Sequence, residues 1–224
     1  MKKKTYVVGV ALLLAALLAL SGVAQSAMWV GAELGGNFPM SPTAKTSGRD
    51  VGGVIFNGTV IGGAAIGYDF VNSGVGAYAW PDWMKYFSIA TDITYNPLRV
   101  HTIGGNEVRF TTVKGYCVAW TFLLMAHYGL FPDSEVPGGR VNPYIGVGPA
   151  IVWSGLNIRQ SNGNSTNIAL VVEPGIRWMV LKNVSVDTSF RYRMASPNYT
   201  LSGVDTKLEP LHQLSFLVRA NYHF

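Results

Sequence analysis

Four histidines, one cysteine and a set of serines are the groups from which this chain could build hydrolytic chemistry. A nucleophile needs a base within hydrogen-bond reach. His212 and Ser215 come nearest in sequence, but three residues apart in a strand places them on opposite faces. His101 falls in a loop-like stretch, and His127 and His223 have no Ser or acidic neighbour at a telling spacing. Cys117 sits in an alternating segment, which suits an ordinary strand residue, and a single Cys excludes an intrachain disulfide. No set of His, Cys and acidic residues has metal-ligand spacing. The expectation is a protein that is not an enzyme, with no catalytic residue, no cofactor and no metal.

The charged residues carry a clearer signal. Glu33, Asp69, Asp92, Glu173, Arg177, Asp187, Arg191, Arg193 and Arg219 each fall on the polar parity of an alternating segment. Successive side chains of a strand point to opposite faces. The final segment shows the pattern well: Leu214, Phe216, Val218, Ala220, Tyr222 and Phe224 share one parity, and the mostly polar Ser215, Leu217, Arg219, Asn221 and His223 the other. A charge on a lipid-facing strand position costs about 2–4 kcal/mol at mid-membrane for Arg or Lys. Sorting the charges to one face and the aromatics to the other is what a membrane-spanning barrel requires.

Eight segments have this period: 29–38, 59–70, 87–98, 113–128, 143–153, 167–178, 184–194 and 214–224. The expected fold is all-β, an eight-stranded antiparallel transmembrane barrel. The fourth segment alternates less cleanly, because Leu123 and Met125 fall on its inward parity. Polar stretches at 39–58, 99–112, 154–166 and 196–210 would form loops at one end, and links at 71–86, 129–142 and 180–183 would close the other. Eight strands enclose only side chains or one small ligand. The inward charges therefore form a mutually paired plug, or they line a narrow pore or binding site. The short link before Val184 makes the sixth and seventh strands antiparallel neighbours. Glu173 and Asp187 should then pair with members of the set Arg177, Arg191, Arg193 and Arg219.

The start of the chain agrees. Lys2, Lys3 and Lys4 precede an apolar stretch over 6–20 and then small residues, the layout of a secretory signal peptide. Cleavage is expected after Ala24, or as late as Ala27, leaving the barrel as residues 28–224. The whole chain carries a net charge of +5 from 17 basic and 12 acidic residues, and the three leader lysines account for part of that excess. The basic residues are not clustered, so no nucleic-acid partner is expected. Charged residues make up 13% of the chain, well below the roughly 25% of soluble domains.

On the segments 142–153 (NPYIGVGPAIVW), 173–193 (EPGIRWMVLKNVSVDTSFRYR) and 214–224 (LSFLVRANYHF), the chain resembles the outer membrane protein beta-barrel domain family of small OmpA/OmpX-like barrels. That resemblance implies a home in the outer membrane of Gram-negative bacteria, both termini in the periplasm, and outer-membrane lipid as the surrounding partner. In such barrels the last strand is the signal read by the barrel-assembly machinery. Leu214, Phe216, Val218, Tyr222 and Phe224 would carry it here. The resemblance implies a structural or surface-interacting role with an extracellular partner met through the loops. A narrow pore or small-ligand transporter is the alternative, and a lipid A-modifying enzyme the third reading. The chain stops at Phe224, so no peptidoglycan-binding domain is expected to follow.

Overall fold

A computed structural model describes residues 28–40, 43–46, 49–70, 79–103, 106–107, 114–158, 161–201, 204–208 and 210–224. The expected signal peptide lies outside the described residues. Eight long strands form the wall: β1 Met28–Pro39, β2 Thr59–Asp69, β3 Phe87–Ile103, β4 Lys114–His127, β5 Val141–Ile158, β6 Ser161–Leu181, β7 Val184–Ala195 and β8 Leu211–His223. Each pairs antiparallel with the next, and β1 pairs with β8 from Trp29↔His223 to Pro39↔Gln213, so the sheet closes on itself. Closure matters because an open sheet edge in lipid would leave backbone N–H and C=O groups unpaired. The Phe224 amide extends the seam by donating to the Met28 carbonyl, and the His223 amide extends the β7–β8 ladder by donating to the Asn183 carbonyl.

Alternation is the rule on every strand. In β8, Leu214, Phe216, Val218 and Tyr222 face out while Ser215, Leu217, Arg219 and Asn221 are buried inside. The outer wall is apolar, with Leu34, Ile93, Leu124, Ile168 and Phe190 all exposed. Among the described residues no helix is long and apolar enough to cross a membrane, and in a barrel the strands cross instead. Tight approach at the seam depends on glycine: a Cβ on Gly35 would lie 1.8 Å from the Phe216 carbonyl oxygen.

Two expectations need correction. Residues 154–158 and 161–166, expected as loop, are strand. Trp153↔Thr166 through Ile158↔Ser161 continue the β5–β6 ladder. Their Ser, Asn and Gly content reads as a turn, yet main-chain pairing asks little of side chains once a long hairpin is nucleated. Residues 39–58 and 196–210 likewise contain short strands, Thr43–Thr46, Arg49–Phe56, Asn198–Leu201 and Val204–Leu208, joined edge to edge. The wall thus extends well past the roughly ten residues a membrane strand needs. Second, the inward face is not polar throughout. Near the loop end it is largely apolar, formed by Val54, Phe56, Leu98, Cys117, Val152, Leu156 and Tyr199, with Asn96 and Ser154 buried among them. Leu123 and Met125, which blurred the pattern of β4, are also buried in the lumen.

Candidate functional site

The lumen is layered. At mid-height, inward positions on β1, β3, β6, β7 and β8 bring charges together from distant parts of the chain. Arg191 lies at the centre of one cluster. Its Nη1 and Nη2 donate to the two oxygens of Asp92 at 3.0 and 2.8 Å, a bidentate pair. Its Nε donates to Glu173 Oε2 at 2.6 Å, and Glu33 Oε1 lies 3.6 Å from Nη1. Arg219 is the second centre. Its Nη2 reaches Glu173 Oε1 and Asp187 Oδ2, both at 3.3 Å, and its Nη1 reaches Glu33 Oε2 at 3.5 Å. Tyr144 ties the two together, accepting from Arg219 Nη2 and donating to Glu173 Oε1, each at 3.2 Å.

Arg177 sits nearer the end that carries Met28 and Phe224, the terminal end. It bonds Asp69 at 3.0 Å and Asp187 at 3.3 Å. The Trp29 indole, wholly buried, lies against both Arg177 and Arg219, their guanidinium carbons 4.8 and 5.2 Å from its ring centroid. Such stacking suits the planar, weakly hydrated guanidinium. The structure therefore brings Glu33, Asp69, Asp92, Glu173, Arg177, Asp187, Arg191 and Arg219 into one connected network. Arg193 stands apart from it. Among the described residues it takes no carboxylate within ion-pair distance. It bonds Thr94 and Gln213 instead, with Cys117 Sγ at 4.0 Å. Its place is the boundary between the ionic layer and the apolar one above it.

Sequence spacing pointed to neither Trp29 nor Tyr144 as a partner of the charges. Their inward parity was visible, but which arginine they meet depends on barrel closure. Spacing also missed a Ser–His contact. Ser185 Oγ lies 3.0 Å from His223 Nε2 across the β7–β8 pair, with Asp187 Oδ1 at 3.4 Å. The arrangement is not that of a charge-relay nucleophile. Asp187 contacts the serine rather than the other ring nitrogen of His223, Asn221 also donates to Ser185 Oγ, and Ser185 is fully buried. His212, by contrast, contacts the outward Tyr192 hydroxyl, while Ser215 donates inward to Asn37. No group of three or more His, Cys, Asp or Glu residues that could hold a metal ion occurs among the described residues.

Below the network the lumen widens into a bowl of about 800 Å³ at the terminal end, lined in part by Lys85, His127, Asn142, Arg177, Lys182 and His223. Part of its rim is the β4–β5 link. There Arg140 clamps Asp133 and donates to Glu135 at 2.8 Å, and the Val136 amide donates to Asp133 at 2.7 Å. The Val136 amide first, and Arg140 with it, hold the Asp133 carboxyl below the usual carboxylate range.

No family model matches the chain, and no curated protein matches it. Solved structures do. The chain is similar to Neisserial surface protein A, at 15% identity and a TM-score of 0.51, over 88% of this chain and 97% of that one. It is also similar to the outer membrane protein OprG from Pseudomonas aeruginosa, at 12% identity and a TM-score of 0.62, over 90% of this chain and 98% of that one. At such identities the likeness is one of fold: a closed, eight-stranded antiparallel β-barrel.

Proposed function

We propose that this chain is an integral barrel of the bacterial outer membrane, with both termini in the periplasm and a structural or surface-interacting role rather than an enzymatic one. The observation that carries the reading is the mid-lumen network. Arg191 and Arg219 are almost fully buried and hold Glu33, Asp92, Glu173 and Asp187 between them, leaving little path for ions through the centre. Eight strands already leave room for little more than side chains. The apolar outer wall supports residence in lipid, and the strands that project beyond it offer a surface to an outside partner. The names of the two similar structures, a surface protein and an outer membrane protein, agree with that location.

The test is conductance of the purified barrel in planar bilayers. The expected record is flat for the natural sequence, with conducting events appearing only when the network is opened, as in an Arg191→Ala and Arg219→Ala double variant. Discrete steps in the natural protein that vanish on changing Arg177 or Arg191 would favour the narrow pore instead.

A further inference from the structure

The bowl at the terminal end is not accounted for by a sealed, structural barrel. Its volume lies in the range of small-molecule sites. Its floor is the ionic layer at Arg177, and its sides come from the β2–β3 link, the β4–β5 link and the β6–β7 turn, which supply Lys85, Glu135 and Lys182. The lining is uneven in charge once existing bonds are considered. Its two carboxylates are already engaged: Asp69 with Arg177 at 3.0 Å and Trp29 at 3.3 Å, and Glu135 with Arg140 at 2.8 Å. Its two lysines are not: among the described residues neither Lys85 nor Lys182 takes a carboxylate, Lys85 resting only over the Tyr86 ring, whereas Arg177 in the floor is held by Asp69 and Asp187. Two uncommitted ammonium groups thus border a concave space whose carboxylates are already engaged. The stacked Tyr86 and Tyr128 rings give it one apolar ledge.

We propose that this bowl binds a small water-soluble organic anion, a carboxylate or phosphate ester, held chiefly by Lys85 and Lys182 above the Arg177 floor. Charge-assisted donors on ammonium groups select for anions over neutral solutes of the same size. The reading is independent of whether the lumen conducts, because the bowl lies on one side of the ionic layer.

The test is calorimetric titration of the barrel in detergent micelles with citrate and with inorganic phosphate, at fixed ionic strength, with glucose as the neutral control. Saturable binding of at least one of the two anions and none of glucose is expected. A Lys85→Gln and Lys182→Gln double variant should weaken that binding at least tenfold while keeping the heat-modifiable mobility of a folded barrel. Exchanging the exposed Arg99 near the opposite end for Gln should leave affinity unchanged. Absence of saturable binding by either anion, or equal binding by the double variant, would overturn the proposal. So would binding seen only when anionic phospholipid is supplied in vesicles and not with the soluble anions.

Discussion

Glu173 accepts from Arg191 and Arg219 at once and from Tyr144 as a third donor, with no exposed surface. Its removal strands two buried guanidinium groups, each short of one acceptor. Breaking a buried pair by deleting one partner typically costs about 3–5 kcal/mol, mostly the penalty on the charge left behind. Glu173→Ala should therefore lower barrel stability by that order, read as the urea midpoint in micelles, and by more than Glu135→Ala at the solvated rim. Equal effects at the two sites would mean that water enters the centre freely. The rim has its own signature in pH. Because the folded value of Asp133 is depressed, its contribution is fully present above the unfolded value of about 3.9 and is lost as pH falls through the folded one. Nuclear magnetic resonance titration should place the Asp133 midpoint below about 3.9. Arg140→Gln should raise it only in part, since the Val136 amide still donates to that carboxylate.

The strands translate these residue effects into architecture. Where Pro174 interrupts the β6–β7 ladder between Ser189↔Gly175 and Tyr192↔Val172, the Glu173–Arg191 ion pair bridges the same two strands. Proline cannot donate to a ladder, so a side-chain contact there takes the place of main-chain rungs. At β8 the outward Phe216, Val218 and Tyr222 belong to a strand bonded on both sides, to β1 and to β7. Replacing Tyr222 and Phe224 with polar residues should leave secretion intact but reduce insertion, measured as loss of the heat-modifiable band from the outer-membrane fraction. Normal amounts of folded barrel would count against the terminal strand as an assembly signal. Faces were legible in the sequence because a period of two needs only alternation, and lipid outside punishes any exception. Strand ends were not. Past the lipid boundary the outward side chains are free to be polar, so the ladder of 154–158 with 161–166 carries loop-like composition while its main chain stays paired.

At the scale of the whole molecule, what the sequence hid was contact across the lumen. Arg191 and Asp92 are 99 residues apart and meet only because eight strands curve into a ring. Strand adjacency narrowed the partners of Asp187 to the set Arg177, Arg191, Arg193 and Arg219, and of these it meets Arg177 and Arg219, each at 3.3 Å. Nothing in the spacing distinguished Arg193, which shares the parity of Arg191 yet lies one step nearer the apolar layer and finds only neutral partners and a thiol. The same layering gives the barrel two unlike ends: strand extensions on one side, and a polar bowl with both described termini on the other. Orientation in the membrane follows from which end faces out. In outer-membrane barrels short turns lie in the periplasm and longer excursions outside, and here the Lys182–Asn183 turn is at the terminal end, together with the longer β2–β3 and β4–β5 links, while the strand extensions built on Arg49–Phe56 and β3 are at the other. A cysteine placed at exposed Asn57 should therefore react with a membrane-impermeant maleimide on intact cells, and one placed at exposed Glu135 only after the outer membrane is permeabilised. Cys117, 2% exposed in the upper lumen, should stay silent in both. Labelling of the Glu135 position on intact cells, with none at Asn57, would invert the molecule and turn the bowl toward the outside.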